Sequence, residues 1–153
     1  PEEAMEFLDN EFVDIIQIPT NILDKRLIEN GFFERAVENN KTIFIRSVFL
    51  QGLLLLNESE LENGKMKWVK EHLQFYYNFL RKHDLLPQYF TLKAIRQRFP
   101  ELILVSGVET QSQLLDNLEL LKAPDLKQSI LNEWWSNLPD LPNKLLDPSK
   151  WST

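Results

Sequence analysis

Val13-Asp14-Ile15-Ile16-Gln17-Ile18, Thr42-Ile43-Phe44-Ile45-Arg46-Ser47 and Leu102-Ile103-Leu104-Val105-Ser106 decide the fold class. Each is a short run of Ile, Val, Phe and Leu with little alternation, the pattern of a strand buried on both faces of a parallel sheet. Between the first two runs the apolar period changes: Leu23, Leu27, Phe32, Phe33 and Ala36-Val37 predict a helix closed by Asn39-Asn40. Between the second and third, Trp68, Val69, Leu73, Tyr76, Tyr77 and Leu80 predict a helix that stops at His83-Asp84 and Pro87. A further helix over 88–98 carries Phe90, Ala94 and Ile95 on one face. Such a succession of strands and helices is a series of βα units. Thr110 is suited to cap a helix whose Leu114, Leu115, Leu118 and Leu121 form an apolar stripe. After Pro124, a helix with Leu126, Ile130, Leu131, Trp134 and Trp135 is expected to cover the outside, and Pro139, Pro142 and Pro148 to keep the tail non-helical. Asn57 to Gly64 reads as a solvated acidic loop. Residues 1–10 already look helical, so the chain enters a βα succession as if it were part of a larger fold.

The 153 residues, 43% hydrophobic and 26% charged, suffice for one core and exclude a disordered chain. Cysteine is absent, which removes thiolate catalysis and disulfides and fits a reducing compartment. The formal charge of -6 opposes a phosphate-tracking surface, so nucleic acid is not an expected partner. The apolar run Val48 to Leu56 is interrupted by Gln51 and Gly52 and is far shorter than the ~20 residues of a membrane span, so no membrane partner is expected. These features predict a soluble, cytoplasmic protein. With two histidines and no cysteine, no metal site is expected.

Gly107-Val108-Glu109-Thr110-Gln111-Ser112-Gln113-Leu114-Leu115-Asp116-Asn117 reads as a turn from strand to helix with a hydroxyl at the helix start. Free amides at a helix N-terminus attract phosphate, although an ordinary capped surface helix reads the same way. The combination is more specific. The stretches 14–24, 45–54, 105–117 and 146–151, in this order and at these separations, resemble the aldo-keto reductase family over nearly the whole chain. The resemblance implies an α/β fold, a (β/α)8 TIM barrel of which residues 1–153 are the C-terminal half. This chain would cover roughly the last three βα units plus the C-terminal helix, with 124–153 as that helix and the tail.

What the resemblance implies for function is the cofactor-binding half of an NAD(P)-dependent enzyme of carbonyl reduction or alcohol oxidation, acting on a small carbonyl or alcohol substrate. Gln17 matches the glutamine that bonds the nicotinamide carboxamide, and Ser47 the serine that reaches the pyrophosphate. Phe49, Gln51 and Gly52 fall in the same cofactor-wrapping loop. Arg46 stands where many members have an aromatic residue that stacks on the nicotinamide; a guanidinium plane can also stack or pair with phosphate. Asp116 and Asn117 match the pair that contacts adenine, with Gln113 one turn earlier and Thr110 near the adenosine phosphates. Members that prefer the phosphorylated cofactor commonly place a lysine at Gly107 and an arginine at Gln113, so their absence favours NAD. No catalytic residue is expected, because the family's Asp, Tyr, Lys and His set belongs to the other half; this chain alone is expected to be inactive. The competing expectation is a non-catalytic binding or regulatory module on the same fold. Three strands with open edges also lead to an expectation of self-association or of a complementary N-terminal half as partner.

Overall fold

The computed structural model of the chain describes residues 2–62 and 66–151. In chain order the elements are α1 (Glu2–Glu6), β1 (Ile15–Pro19), α2 (Arg26–Glu29), α3 (Phe32–Glu38), β2 (Thr42–Arg46), α4 (Glu58–Glu62), α5 (Lys70–His83), α6 (Pro87–Arg98), β3 (Ile103–Leu104), α7 (Gln111–Lys122), α8 (Gln128–Asn137) and α9 (Asn143–Leu146). All three expected strands form, and they pair in parallel in the order β1-β2-β3, with Gln17 opposite Phe44 and Ile45 opposite Leu104.

The expected portion of a (β/α)8 TIM barrel is not what these strands build. They make a small open sheet, β3 is only two residues long, and helix makes up most of the regular structure. The expectation that the strands are buried on both faces also fails. Burial alternates along β1 and β2: Ile16, Ile18, Ile43 and Ile45 point into the core, while Ile15 is 60% exposed and Gln17, Thr42 and Arg46 face solvent. Only one face is covered by helices. A barrel lining needs layers of inward side chains packed on one another, and here that face carries a glutamine and an arginine in water.

The covered face meets a continuous apolar core. Phe32 from α3, Tyr76 and Phe79 from α5, Phe90 and Ile95 from α6 and Leu131 and Trp134 from α8 pack there with the sheet isoleucines. Trp134 therefore sits in the centre of the core, not on the outside as expected. The predicted helix over 23–37 is broken into α2 and α3 at Gly31, whose φ of 74° suits glycine, and Val37 at its end is exposed. α6 begins on Pro87, which has no amide hydrogen to waste at a first helical position. The expected apolar stripe of α7 holds only at its end: Leu114, Leu115 and Leu118 are exposed, Leu121 packs half-buried against the core together with Leu120, and Asn117 is the helix's buried residue. Part of the acidic loop folds as α4, stabilised by Glu60 accepting the Asn57 N–H at 2.7 Å, while Asn63 and Gly64 lie outside the described residues. The tail, expected to be non-helical, contains α9, whose start follows Pro142.

Among the described residues no helix is long and apolar enough to cross a membrane.

Candidate functional site

β2 ends at Arg46 and the chain turns at once. Ser47 has φ 63°, and Leu50, Gln51 and Gly52 follow with φ 48°, 55° and 82°. The left-handed region costs a non-glycine residue on the order of 1 kcal/mol or more, so this turn must be held by its surroundings. Val48, Leu50, Leu53 and Leu54 are buried beneath it. The Leu50 N–H donates to the Ser47 carbonyl at 2.8 Å, and the Tyr76 hydroxyl donates to the Leu54 carbonyl at 2.9 Å. Among the described residues nothing accepts from the N–H groups of Phe49, Gln51 or Gly52. The adjacent free amides of Gln51 and Gly52 are of the kind that, in a turn, attract anions.

β3 leads into the opposing segment. The Val105 N–H donates to the Ile45 carbonyl at 2.7 Å, and the chain then runs through exposed Gly107 to α7. Thr110 Oγ1 accepts the Gln113 N–H at 3.2 Å, as expected of a cap, while Gln113 Oε1 accepts the Glu109 N–H at 2.8 Å. This reciprocal arrangement fixes the helix start. α7 is then attached to α6 by polar contacts: Gln88 Nε2 donates to Asn117 Oδ1 at 2.8 Å, and the buried Lys93 ammonium to the Leu121 carbonyl at 2.9 Å and Asp125 at 3.0 Å.

Between the two segments lies a cavity of about 660 Å³ at the C-terminal ends of β2 and β3. Ser47, Phe49, Gln51 and Gly52 line one side, and Gly107, Gln113, Asp116 and Asn117 the other. Thr110 shapes that side through its cap but does not line the cavity. Gln17 and Arg46 do not line it either: both lie on the bare face of the sheet, where the Arg46 guanidinium donates to Ser47 Oγ at 3.3 Å. A second cavity of about 390 Å³, with Leu86 and Leu120 among its walls, shares Leu55, Gln88 and Asp116 with the first. Among the described residues no lysine or arginine lines either cavity, whereas Glu109, Asp116 and Glu119 do.

Sequence reasoning missed Gln88 and Leu55. Gln88 follows Pro87 in a stretch that reads only as the end of one helix and the start of another, and Leu55 belongs to an apolar run without period. Nothing local marks either as facing a groove.

Several ionisable groups outside the groove have structural partners. Tyr77 donates to the Leu56 carbonyl at 2.9 Å and Tyr89 to the Pro124 carbonyl at 2.6 Å, as Tyr76 does to Leu54. Burial pushes the Tyr76 hydroxyl far above the ordinary tyrosine range and that of Tyr77 up to about 12. Buried Asp24 holds the Arg26 guanidinium through both oxygens, at 2.8 and 2.7 Å, and Arg26 reaches Asn143 at 3.0 Å. The stretch 14–24 thus ends in a clamp joining the sheet to the C-terminal region. His83 lies 3.2 Å from Glu133. Among the described residues no group of three or more histidines and carboxylates is placed to hold a metal ion.

No family model matches the chain, and no curated protein matches it.

Proposed function

We propose that the chain binds a nicotinamide adenine dinucleotide in the groove at the C-terminal ends of β2 and β3, as the cofactor-gripping part of an oxidoreductase that interconverts carbonyls and alcohols. The observation that carries this reading is the convergence of two distant segments, 47–52 and 107–117, on one cavity. One offers free amides in a left-handed turn; the other offers a capped helix start followed by an amide side chain. The pyrophosphate would meet the amides of Phe49, Gln51 and Gly52 and the first turn of α7. The adenosine end would lie toward Asp116 and Asn117. The cofactor is NAD in preference to NADP, because a 2′-phosphate would face Glu109 and Asp116 with no cation in the lining among the described residues. A cysteine-free chain of this kind suits the cytoplasm.

Proton donation to a carbonyl oxygen is not a task for the tyrosines here, since all three hydroxyls are committed to backbone carbonyls outside the cavity lining. Binding is therefore the property to test first. Titration of the 153-residue chain with NADH, followed by calorimetry and nicotinamide fluorescence, should give saturable binding that weakens with Gly52→Val, which puts a branched side chain at a left-handed φ of 82° in the cavity wall. Absence of saturable binding at millimolar NADH refutes the reading. A non-catalytic binding module using the same groove predicts the same titration.

A further inference from the structure

We infer that a cleft running from the end of α5 across the start of α6 to α7 docks a cationic amphipathic helix of a partner protein. Two cavities make it up, of about 390 and 320 Å³, on either side of a ridge formed by Leu55 and Pro87, which line both. Leu86 and Leu120 wall the first, and Tyr77 and Leu80 the second. Leu86 is 70% exposed and Leu55 42%, so the rim holds apolar side chains in water. Leu86 is nevertheless fixed in place. The Leu85 N–H before it donates to the Leu80 carbonyl at 3.0 Å, its own carbonyl accepts the Phe90 N–H at 2.9 Å, and Pro87 starts α6 directly after it. An exposed leucine held this way is preorganised, and a partner would pay little entropy to use it.

Charge decides the occupant. Asp84, Asp116 and Glu119 line the cleft and are exposed, and among the described residues none of them has a lysine or arginine partner. Arg81, the cation of the lining among the described residues, is bound to Glu58; Lys82 beside it is held by Glu133 at 2.6 Å, with His83 at 3.2 Å from the same carboxylate. Asp84 ends α5, so the last carbonyls of that helix add to the negative potential. Lysine and arginine side chains suit such a lining. A second copy of a chain with formal charge -6, a nucleic acid or an anionic membrane has the wrong sign for it. The walls decide the conformation. Among the described residues none from β1, β2 or β3 lines either cavity, so an extended peptide finds no strand edge there and its amides would lack partners. A helix satisfies its own backbone and presents apolar side chains at i, i+3, i+4 and i+7, which can enter the two cavities across the Leu55 ridge.

The test follows the fluorescence anisotropy of a labelled helical peptide, with leucines at i, i+3, i+4 and i+7 and lysines elsewhere, titrated with the 153-residue chain in the absence of any dinucleotide. Saturable binding is expected. It should vanish for a peptide with serines in place of the leucines and for one with glutamates in place of the lysines, both read on the unaltered chain. Leu86→Ser, at an exposed site where a hydroxyl suits the N-cap of α6, should weaken binding on the order of tenfold. Asp84→Asn combined with Glu119→Gln should do the same, asparagine being tolerant of the left-handed φ of 50° at position 84. Val37→Ser and Glu38→Gln change exposed residues of α3 that line neither cavity, and should leave binding as it was. Melting temperatures accompany each variant. No saturable binding to the wild type, equal binding of the glutamate peptide, or losses in the α3 variants as large as those in the cleft overturns the inference. A fall in the mass of the chain's own assemblies on Leu86→Ser, by light scattering, would assign the cleft to a second copy and overturn it as well.

Discussion

Trp134 and Trp135 are neighbours for which the structure requires opposite responses to one substitution. Trp134 is 2% exposed, stacks on Phe75 at 5.4 Å, meets Phe79 and Phe90 edge-on at 4.9 and 5.0 Å, and donates from Nε1 to the Ile22 carbonyl at 3.0 Å. Trp134→Phe keeps one ring in place but loses on the order of 50 Å² of buried apolar surface, about 1 kcal/mol at ~25 cal/mol per Å². It also leaves the Ile22 carbonyl in the interior without its donor, a further cost of about 1 to 3 kcal/mol. The sum, about 2 to 4 kcal/mol, corresponds to a fall in Tm of roughly 5 to 15 °C for a domain of this size. Trp135 differs in the decisive respect: its Nε1 is buried with no acceptor among the described residues, and its ring serves Arg98, whose guanidinium carbon lies 5.8 Å from the ring centre. Trp135→Phe removes a donor that was never satisfied and keeps a ring face for the cation, so its cost should stay within about 1 kcal/mol of zero. Urea unfolding followed by far-ultraviolet circular dichroism, which does not depend on either indole, measures both. Equal costs for the two variants, or a Trp134→Phe cost below that of Trp135→Phe, would refute the assignment of Trp134 as the polar-anchored centre of the core.

The neutral-to-acidic groove predicts that NADH binds at least as tightly as NADPH. Gln113→Arg should move the ratio of dissociation constants toward NADPH even though it gives up the Oε1 that accepts the Glu109 N–H, and a wild-type preference for NADPH of a hundredfold would refute this electrostatic reading. Tyr77, raised by burial first and then by Glu58 and Glu60, together with the still more strongly shifted Tyr76, predicts alkaline destabilisation. Because the folded pKa exceeds the unfolded value near 10, their contribution is full below about pH 10 and is lost as pH climbs toward 12. Absorbance at the phenolate band should show these two hydroxyls ionising only with unfolding; ionisation in a folded chain at pH 10 would contradict their burial. The bare sheet face, with Ile15 and Ile103 exposed between two open strand edges, predicts that copies associate. Light scattering during size exclusion should give a mass above that of one chain, and a sharp monomer at high concentration would show that this face tolerates water.

The strands and the long helices were legible because their signals are local. Ile16, Ile18, Ile43 and Ile45 mark a pleat by composition, and Pro87, Asp84 and Thr110 mark helix ends by their own dihedral or hydrogen-bonding limits. The fold class was misread because apolar residues on both faces of a short run do not say whether a second layer covers the far side. Ile15 and Ile103 look like core residues in sequence and are exposed in the structure. α7 was misread in part for a related reason: its leucines outnumber its polar residues on one face, but tertiary attachment runs through Asn117, whose partner Gln88 lies 29 residues earlier. Hydrogen-bonded pairs of that separation leave no trace in a periodicity.

The way α7 is attached bears directly on how a ligand would act. One wall of the groove, the 47–52 turn, grows from β2 and is locked by buried Leu50, Leu53 and Leu54. The other wall hangs on a two-residue β3 and on polar contacts to α6: Gln88 to Asn117, Lys93 to the Leu121 carbonyl, Tyr89 to the Pro124 carbonyl and Gln97 to Leu126 at 3.1 and 2.8 Å. Only Leu120 and Leu121 of its leucines pack against the core, half-buried, while Leu114, Leu115 and Leu118 are exposed, and a helix with so little apolar burial belongs to the low end of local stability. A dinucleotide spanning both walls would bind only when α7 is docked, and so would stabilise the docked arrangement by about 2.7 kcal/mol at a hundredfold excess over Kd. Hydrogen exchange should then show the amides of 114–122 slowed by NADH by up to two orders of magnitude, while those of α6, already protected by Phe90, Ala94 and Ile95, change little. Protection confined to the 47–52 turn would mean that the ligand touches one wall only, and the two-walled groove would have to be abandoned.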